Sequence, residues 1–135
     1  MNNISIVIPV YNEAKILHTF LMYLQEMNSK NIMEFLVVDG QSTDDSKAIV
    51  LEFSKKYTKF KGIDSPKGRA VQMNTAAAQA KGTILYFLHA DSLPPKEFDA
   101  HILKAVGNGS KSGCFKMKFD SSHWGLKIAG WLTQF

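Results

Sequence analysis

Positions 4–10, Ile-Ser-Ile-Val-Ile-Pro-Val, carry no charge and are rich in β-branched residues. That is the pattern of a strand covered on both faces within a parallel sheet. A helix is expected over about 13–28, where Ile16, Leu17, Phe20, Leu21 and Leu24 recur at three- to four-residue spacing in one apolar stripe. Residues 35–38 read as a second strand ending in Asp39-Gly40-Gln41-Ser42-Thr43-Asp44-Asp45. There Gly40 permits a tight turn, Ser42 or Thr43 can cap, and Asp44 and Asp45 suit the positive end of a helix dipole. The helix so started runs to about Tyr57 with Ile49, Val50 and Phe53 inward. A third strand is expected at 60–63, then an alanine-rich helix over 69–81 that Gly82 terminates, with Ala76, Ala77, Ala78 and Ala80 packing closely on a sheet. A fourth strand at 83–88 runs into His89-Ala90-Asp91. Pro95 then starts a helix whose inner face is Phe98, Ile102, Leu103 and Val106 and whose end is marked by Gly107 and Gly109. Residues 113–119 read as a fifth strand, and an apolar segment over 124–135 closes the chain.

Repeated strand, crossover helix, strand units require an α/β fold with a mostly parallel central sheet and helices on both faces. Ligands in such sheets bind beyond the carboxyl ends of the strands, near the point where strand order reverses. The polar residues with chemical potential lie there: Tyr11, Asn12 and Glu13 after the first strand, Asp39 after the second, Lys67 and Arg69 after the third, His89 and Asp91 after the fourth. Each alone has an ordinary structural role, Asp39 as a turn former, Arg69 as a first-turn surface residue, Asp91 as an N-cap. Four loops meeting on one rim favour a binding site over four separate accidents.

Composition narrows the classes. With 135 residues, 45% hydrophobic and 21% charged, the chain suits one globular domain and excludes disordered and collagen-like readings. No apolar run approaches the roughly 18 residues that cross a bilayer. Met1-Asn2-Asn3 leads into the first strand with neither a basic region nor a small-residue cleavage site, so a cytoplasmic location is expected. The single Cys114 allows no internal disulfide. A net charge of +4 suits an anionic ligand. Lys55, Lys56, Lys59 and Lys61 could line a nucleic-acid stripe, but without an RNA-binding or zinc-finger signature they read as a solvated helix face and its exit turn, and no nucleic-acid partner is expected.

On the rim, the carboxylates Asp39 and Asp91 stand with the cations Lys67 and Arg69, the set that a diphosphate, a divalent metal and a hydrogen-bonding base require. Asp91 together with nucleotide phosphates would suffice for a hard divalent ion, Mn or Mg. His89 stands open between a second metal ligand, which would favour Mn, and a neutral imidazole bonded to a neighbouring loop. Neither G-x-x-x-x-G-K-[ST] nor a G-x-G-x-x-G after the first strand occurs, which removes P-loop and dehydrogenase readings.

Four segments together carry a family resemblance: residues 6–13, Ile-Val-Ile-Pro-Val-Tyr-Asn-Glu; residues 37–44, Val-Val-Asp-Gly-Gln-Ser-Thr-Asp; Gly68-Arg69; and Phe87-Leu88-His89-Ala90-Asp91. Over about residues 4–119 the chain resembles family 2 nucleotide-sugar glycosyltransferases of the GT-A fold, a Rossmann-like nucleotide-binding architecture. The His-Ala-Asp form and Ser65-Pro66-Lys67-Gly68-Arg69-Ala70 are similar to a bacterial branch associated with radical SAM or selenium-domain proteins. The resemblance implies metal-assisted, inverting transfer from a nucleotide diphosphate sugar, favouring UDP, to an acceptor it does not name. Pro9, Tyr11 and Glu13 match the loop holding the nucleoside, with Tyr11 flanking the base and Glu13 near the ribose. Asp39 matches the carboxylate that accepts from the base, and Arg69, with Lys67 beside it, matches the basic residue facing the nucleotide. Asp91 matches the last Asp of the family's D-x-D metal motif, and His89 replaces the first.

The resemblance also implies a general base beyond the fifth strand. Only Asp120 follows Asp99 as a carboxylate, and it reads as a turn residue. The expected organisation is a single domain over 1–135, nucleotide-sugar-binding over 1–110, with 111–135 the start of an acceptor-side part cut short. A nucleotide-binding fragment without turnover is the second reading. Trp124, Leu126, Ile128, Trp131, Leu132 and Phe135 would leave an apolar patch, expected to meet another copy, a missing C-terminal partner or the inner face of a membrane.

Overall fold

The structure, a computed structural model, describes residues 2–117 and 127–133, with side chains described for 2–113. The chain runs β1 (Ile4–Val10), α1 (Ala14–Glu26), β2 (Ile32–Asp39), α2 (Ser46–Lys56), β3 (Phe60–Asp64), α3 (Arg69–Gln79), β4 (Ile84–Phe87), α4 (Phe98–Gly107), β5 (Ser112–Met117) and β6 (Lys127–Thr133). One six-stranded sheet has the order β3-β2-β1-β4-β6-β5. β1 pairs in parallel with β2 and β4, and β2 with β3, while β6 is antiparallel to both of its neighbours. The chain therefore builds outward from β1 to β3, then returns to the far side of β1 with β4. That reversal opens a crevice beyond the carboxyl ends of β1 and β4.

Alternation along β1 explains the two layers. Ile4, Ile6, Ile8 and Val10 face a core closed by Leu17, Phe20, Leu21 and Leu24 of α1, Val50 and Phe53 of α2, and Phe98 and Ile102 of α4. Val7 faces the other side, where Leu36, Val38, Ile63, Leu85 and Ala76 of α3 make a smaller core with Ala77 and Ala80 packed on it. Small alanines let α3 sit close to the sheet. Phe35 and Phe60 stack across β2 and β3 with ring centres 4.1 Å apart, and Phe53 meets Phe60 edge-on at 4.8 Å. Of the expected α1 stripe, Ile16 stands outside the core at 41% exposure. Among the described residues, no helix is long and apolar enough to cross a membrane.

Several boundaries differ from the sequence expectation for identifiable reasons. β2 begins at Ile32, because Glu34 is buried inside the strand rather than marking its outside. Burial pushes the Glu34 carboxyl up, but the Lys81 N–H, the Ser5 hydroxyl and Lys61 together outweigh this and hold it below the ordinary carboxylate range. Its Oε2 accepts from Ser5 Oγ at 2.6 Å and Lys81 N at 2.6 Å, and its Oε1 from Lys61 Nζ at 3.1 Å. Gly82 does not terminate α3, which already ends at Gln79 with Ala80 extended. Gly82 is required instead by a close approach: a Cβ there would lie 2.7 Å from the Ser5 backbone nitrogen. Pro95 precedes rather than starts α4, because Glu97 is left-handed with φ 57° and the helix opens at Phe98. Gly109, at φ 98°, does mark its end.

Part of the closing apolar segment belongs to the sheet. Residues 127–133 are an interior strand of the chain's own sheet, paired on one side with β4 and on the other with β5. The expected patch rests on side chains outside those described. Trp124, Leu126, Phe135 and Asp120 lie outside the described residues, as do 118 and 119 of the expected fifth strand. The lysine stripe also divides: Lys59 donates to Asn28 Oδ1, Ser29 O and Ile32 O, and Lys61 to Glu34, leaving Lys55 and Lys56 exposed on α2.

Candidate nucleotide site

Three strand ends are tied into one rim. After β1, Asn12 adopts a left-handed φ of 50°, which aims its side chain at the β2 loop. Asn12 Oδ1 accepts from Thr43 N at 2.7 Å, Asp44 N at 3.2 Å and Thr43 Oγ1 at 3.3 Å. In return Ser42 Oγ accepts from Asn12 N at 2.9 Å, Ser46 Oγ from Glu13 N at 2.8 Å, and Asp44 Oδ2 from Ala14 N at 3.1 Å. The expected caps are thus reassigned. Ser42 serves the β1 loop, Thr43 meets Asn12, and Asp44 receives the Ser46 N–H at the start of α2. Hydrogen bonding from Ser46 holds the Asp44 carboxyl below its usual value, aided by the Ala14 N–H.

Within this frame Pro9, Val10, Tyr11, Glu13, Lys67, Gly68, Arg69 and Gln72 line one opening of about 280 Å³. Five of the expected nucleotide residues therefore share one pocket. Lys67 Nζ lies 4.2 Å from the centre of the Tyr11 ring, a cation over an aromatic face at the pocket wall. Arg69 is exposed at the first position of α3. A second opening, of about 530 Å³, is lined by Asp39, Gln41, Ser42, Lys47, Asp64, Ser65 and Pro66. Across its mouth Lys47 pairs with Asp64 at 3.1 Å, both largely exposed, a pair that contributes little stability.

Asp39 is the unusual group. The residue is 5% exposed at the last position of β2, and its Oδ2 accepts from Ser42 N at 3.0 Å. Its Oδ1 is buried with no hydrogen-bond partner. A buried carboxylate oxygen left without a donor costs free energy unless something arriving from outside supplies one.

His89 and Asp91 line neither opening. They follow β4, across the crevice at the strand-order reversal, where Leu88 N donates to Val7 O at 2.9 Å. Asp91 is exposed, and Ser92 Oγ donates to its Oδ1 at 3.3 Å. Among the described residues no three His, Cys, Asp or Glu side chains gather as a metal cage. The donor set fits a divalent ion held chiefly by ligand phosphates with one protein carboxylate, and does not fit a preformed protein site.

Sequence reading missed the residue that joins these loops. Gln72, 3% exposed on α3, donates from Nε2 to Val10 O at 3.0 Å and Val38 O at 2.9 Å, and its Oε1 accepts from Gly68 N at 3.3 Å. A signal was present: Gln72 lies one helical turn before Ala76, on the face that packs against the sheet.

A mostly parallel sheet with a polar, partly unsatisfied rim beyond the ends of β1, β2 and β3 places the chain among the doubly wound α/β proteins. The chain belongs to glycosyl transferase family 2, whose sequence profile matches residues 5–125. It is 28% identical over 122 residues to the probable glycosyltransferase YdaM of Bacillus subtilis, covering 86% of this chain and 29% of that protein. The chain thus spans under a third of that relative's length. Among solved structures it is similar to S. aureus TarS 1-349 in complex with UDP, with TM-score 0.76, 22% identity, and coverage of 93% of this chain and 38% of that one. It is also similar to the mannosyltransferase PcManGT from Pyrobaculum calidifontis in complex with GDP-Man and Mn2+, with TM-score 0.73, 20% identity, and coverage of 96% and 44%. The fold is that of GT-A glycosyltransferases.

Proposed function

We propose that this chain forms the donor-binding part of a glycosyltransferase that takes its sugar from a uridine diphosphate sugar. The observation that carries the reading is the buried, unpartnered Oδ1 of Asp39 beside the pocket of Tyr11, Lys67 and Arg69. Uracil presents one N–H donor between two carbonyls, matching one open carboxylate oxygen. Guanine presents two adjacent donors, and the second oxygen is engaged by Ser42 N–H. Cytosine places an acceptor at that position, which the carboxylate repels.

In this reading Tyr11 flanks the base, Pro9 and Glu13 shape the nucleoside end, and Lys67 and Arg69 face the phosphates. Asp91, with His89 behind it, would help hold Mn or Mg on the diphosphate; bound there, the ion would supply charge neutralisation for the leaving nucleotide. Lys67 and Arg69 add positive charge to the same departing group, so the side chains oppose the charge that grows as the anomeric bond breaks. Residues 1–110 carry this donor site, and 111–135 lead towards the acceptor side. The acceptor displaces the nucleotide with inversion at the anomeric carbon.

The direct test is calorimetry and thermal melting with UDP, GDP, CDP and ADP, each with and without Mn or Mg, because a ligand that binds only the folded chain raises its melting point. A metal-dependent rise with UDP above the other three is expected. Equal shifts for all four, or none, would overturn the uridine assignment.

A further inference from the structure

We infer that Gln72 is the positioning residue of the donor pocket, a single buried amide that sets the places of Tyr11, Asp39 and Arg69 at once. The inference rests on the donor-site reading above. The peptide groups that Gln72 holds are those next to the candidate ligands. Val10 O, one acceptor of its amide, belongs to the peptide leading into Tyr11, and Val38 O, the other, to the peptide leading into Asp39. Gly68 N donates to its Oε1, and the Gln72 backbone N–H donates to Gly68 O at 2.8 Å, so both peptides flanking Gly68 are fixed, between Lys67 and Arg69. Both amide hydrogens and the amide oxygen are used within a residue that is 3% exposed. Val10 O also accepts from Gly40 N at 3.0 Å, so the amide is the second donor there and binds Val38 O and Gly68 N besides.

Gly40 supports the same conclusion independently. A Cβ there would lie 2.7 Å from both Cδ and Oε1 of Gln72, although the Gly40 backbone is not left-handed. The position next to Asp39 is therefore glycine for room, and the room is taken by the Gln72 amide. Packing alone would ask only for an apolar side chain on α3, as Ala76 provides one turn later. A polar group that bridges two strand ends and a helix start instead specifies geometry.

The test compares the chain with Gln72→Met, which keeps the volume and removes the amide. The readings are melting temperature, affinity for UDP with Mn at 25 °C, and the ratio of UDP to CDP affinity. The expected result is a folded variant whose UDP affinity falls tenfold or more and whose UDP-to-CDP ratio also falls, because Asp39 is no longer held in place. A general loss of packing would leave that ratio unchanged. Gly40→Ala, alone and combined with Gln72→Ala, gives a second route that removes no hydrogen-bonding group from position 40. The Gly40→Ala change should weaken UDP binding in the parent chain and have no further effect once Gln72 is alanine. Unchanged affinity and ratio in Gln72→Met, or additive effects in the double variant, would overturn the role of Gln72 while UDP binding by the parent stands. A parent chain that binds no nucleoside diphosphate would instead overturn the donor-site reading, and this inference with it.

Discussion

Replacing Asp39 by Asn should separate binding from stability in opposite directions. The asparagine oxygen can keep the Ser42 N–H that Oδ2 now accepts at 3.0 Å, which turns the amide NH2 towards the position of the unpartnered Oδ1. A uracil N–H arriving there would meet a donor in place of an anionic acceptor. A hydrogen bond to a charged group is worth about 1.5–3 kcal/mol, so UDP affinity should fall roughly 10- to 150-fold. Cytosine, with an acceptor at the same ring position, should gain from the amide donor, so the ratio of UDP to CDP affinity should fall further than UDP affinity alone. Without nucleotide the change removes a desolvated charge from a residue only 5% exposed, and the melting point should hold or rise. For a domain of this size the rise is about 3–5 °C per kcal/mol. Calorimetry with UDP and CDP in the presence of Mn, alongside thermal melts, reads all three quantities. A lower melting point with unchanged UDP affinity would refute the argument, because Asp39 would then be a turn residue that braces Ser42 and nothing more.

Three further outcomes are expected. Asp91→Ala should abolish the part of UDP binding that depends on Mn and leave metal-free binding within about twofold; calorimetry with and without Mn decides it, and an intact metal dependence would exclude Asp91 as the ligand. Glu34 is held below its ordinary value of 4.5, so the stability it supplies is complete above that pH and is lost as pH falls through its lower folded value. Glu34→Gln should therefore cost about 1–3 kcal/mol at pH 7 and flatten the acid limb of melting temperature against pH, whereas a parallel acid limb would show that the carboxylate is not the linked group. Gly82→Ala should lower the melting point by the equivalent of about 1–3 kcal/mol, since its Cβ would press on the Ser5 and Ile4 backbone. Gly107→Ala, with nothing within 4 Å of the new carbon, should be neutral or stabilising, and equal effects at the two sites would contradict the close-approach account.

The pattern of apolar residues alone determined the α/β class, the existence of β1, β3 and β4, the order of the first four helices and the rim on which Tyr11, Asp39, Lys67 and Arg69 stand. Those features follow from local periodicity, because a strand buried on both faces must be apolar throughout and a covering helix must carry a stripe. Tertiary structure alone decided where polar groups are satisfied. Glu34 lay outside the expected strand at 35–38, and its donors come from Ser5, 29 positions away, and Lys81, 47 positions away. Gln72 became a clamp only when β1 and β2 ended side by side, with Val10 opposite Asp39. That residues 127–133 form an inner strand follows from sheet order, which sets β4 and β5 as its partners. A local pattern records how much of a residue is covered. What covers it depends on register between distant segments, and hydrogen bonds across that register set the shape of the site.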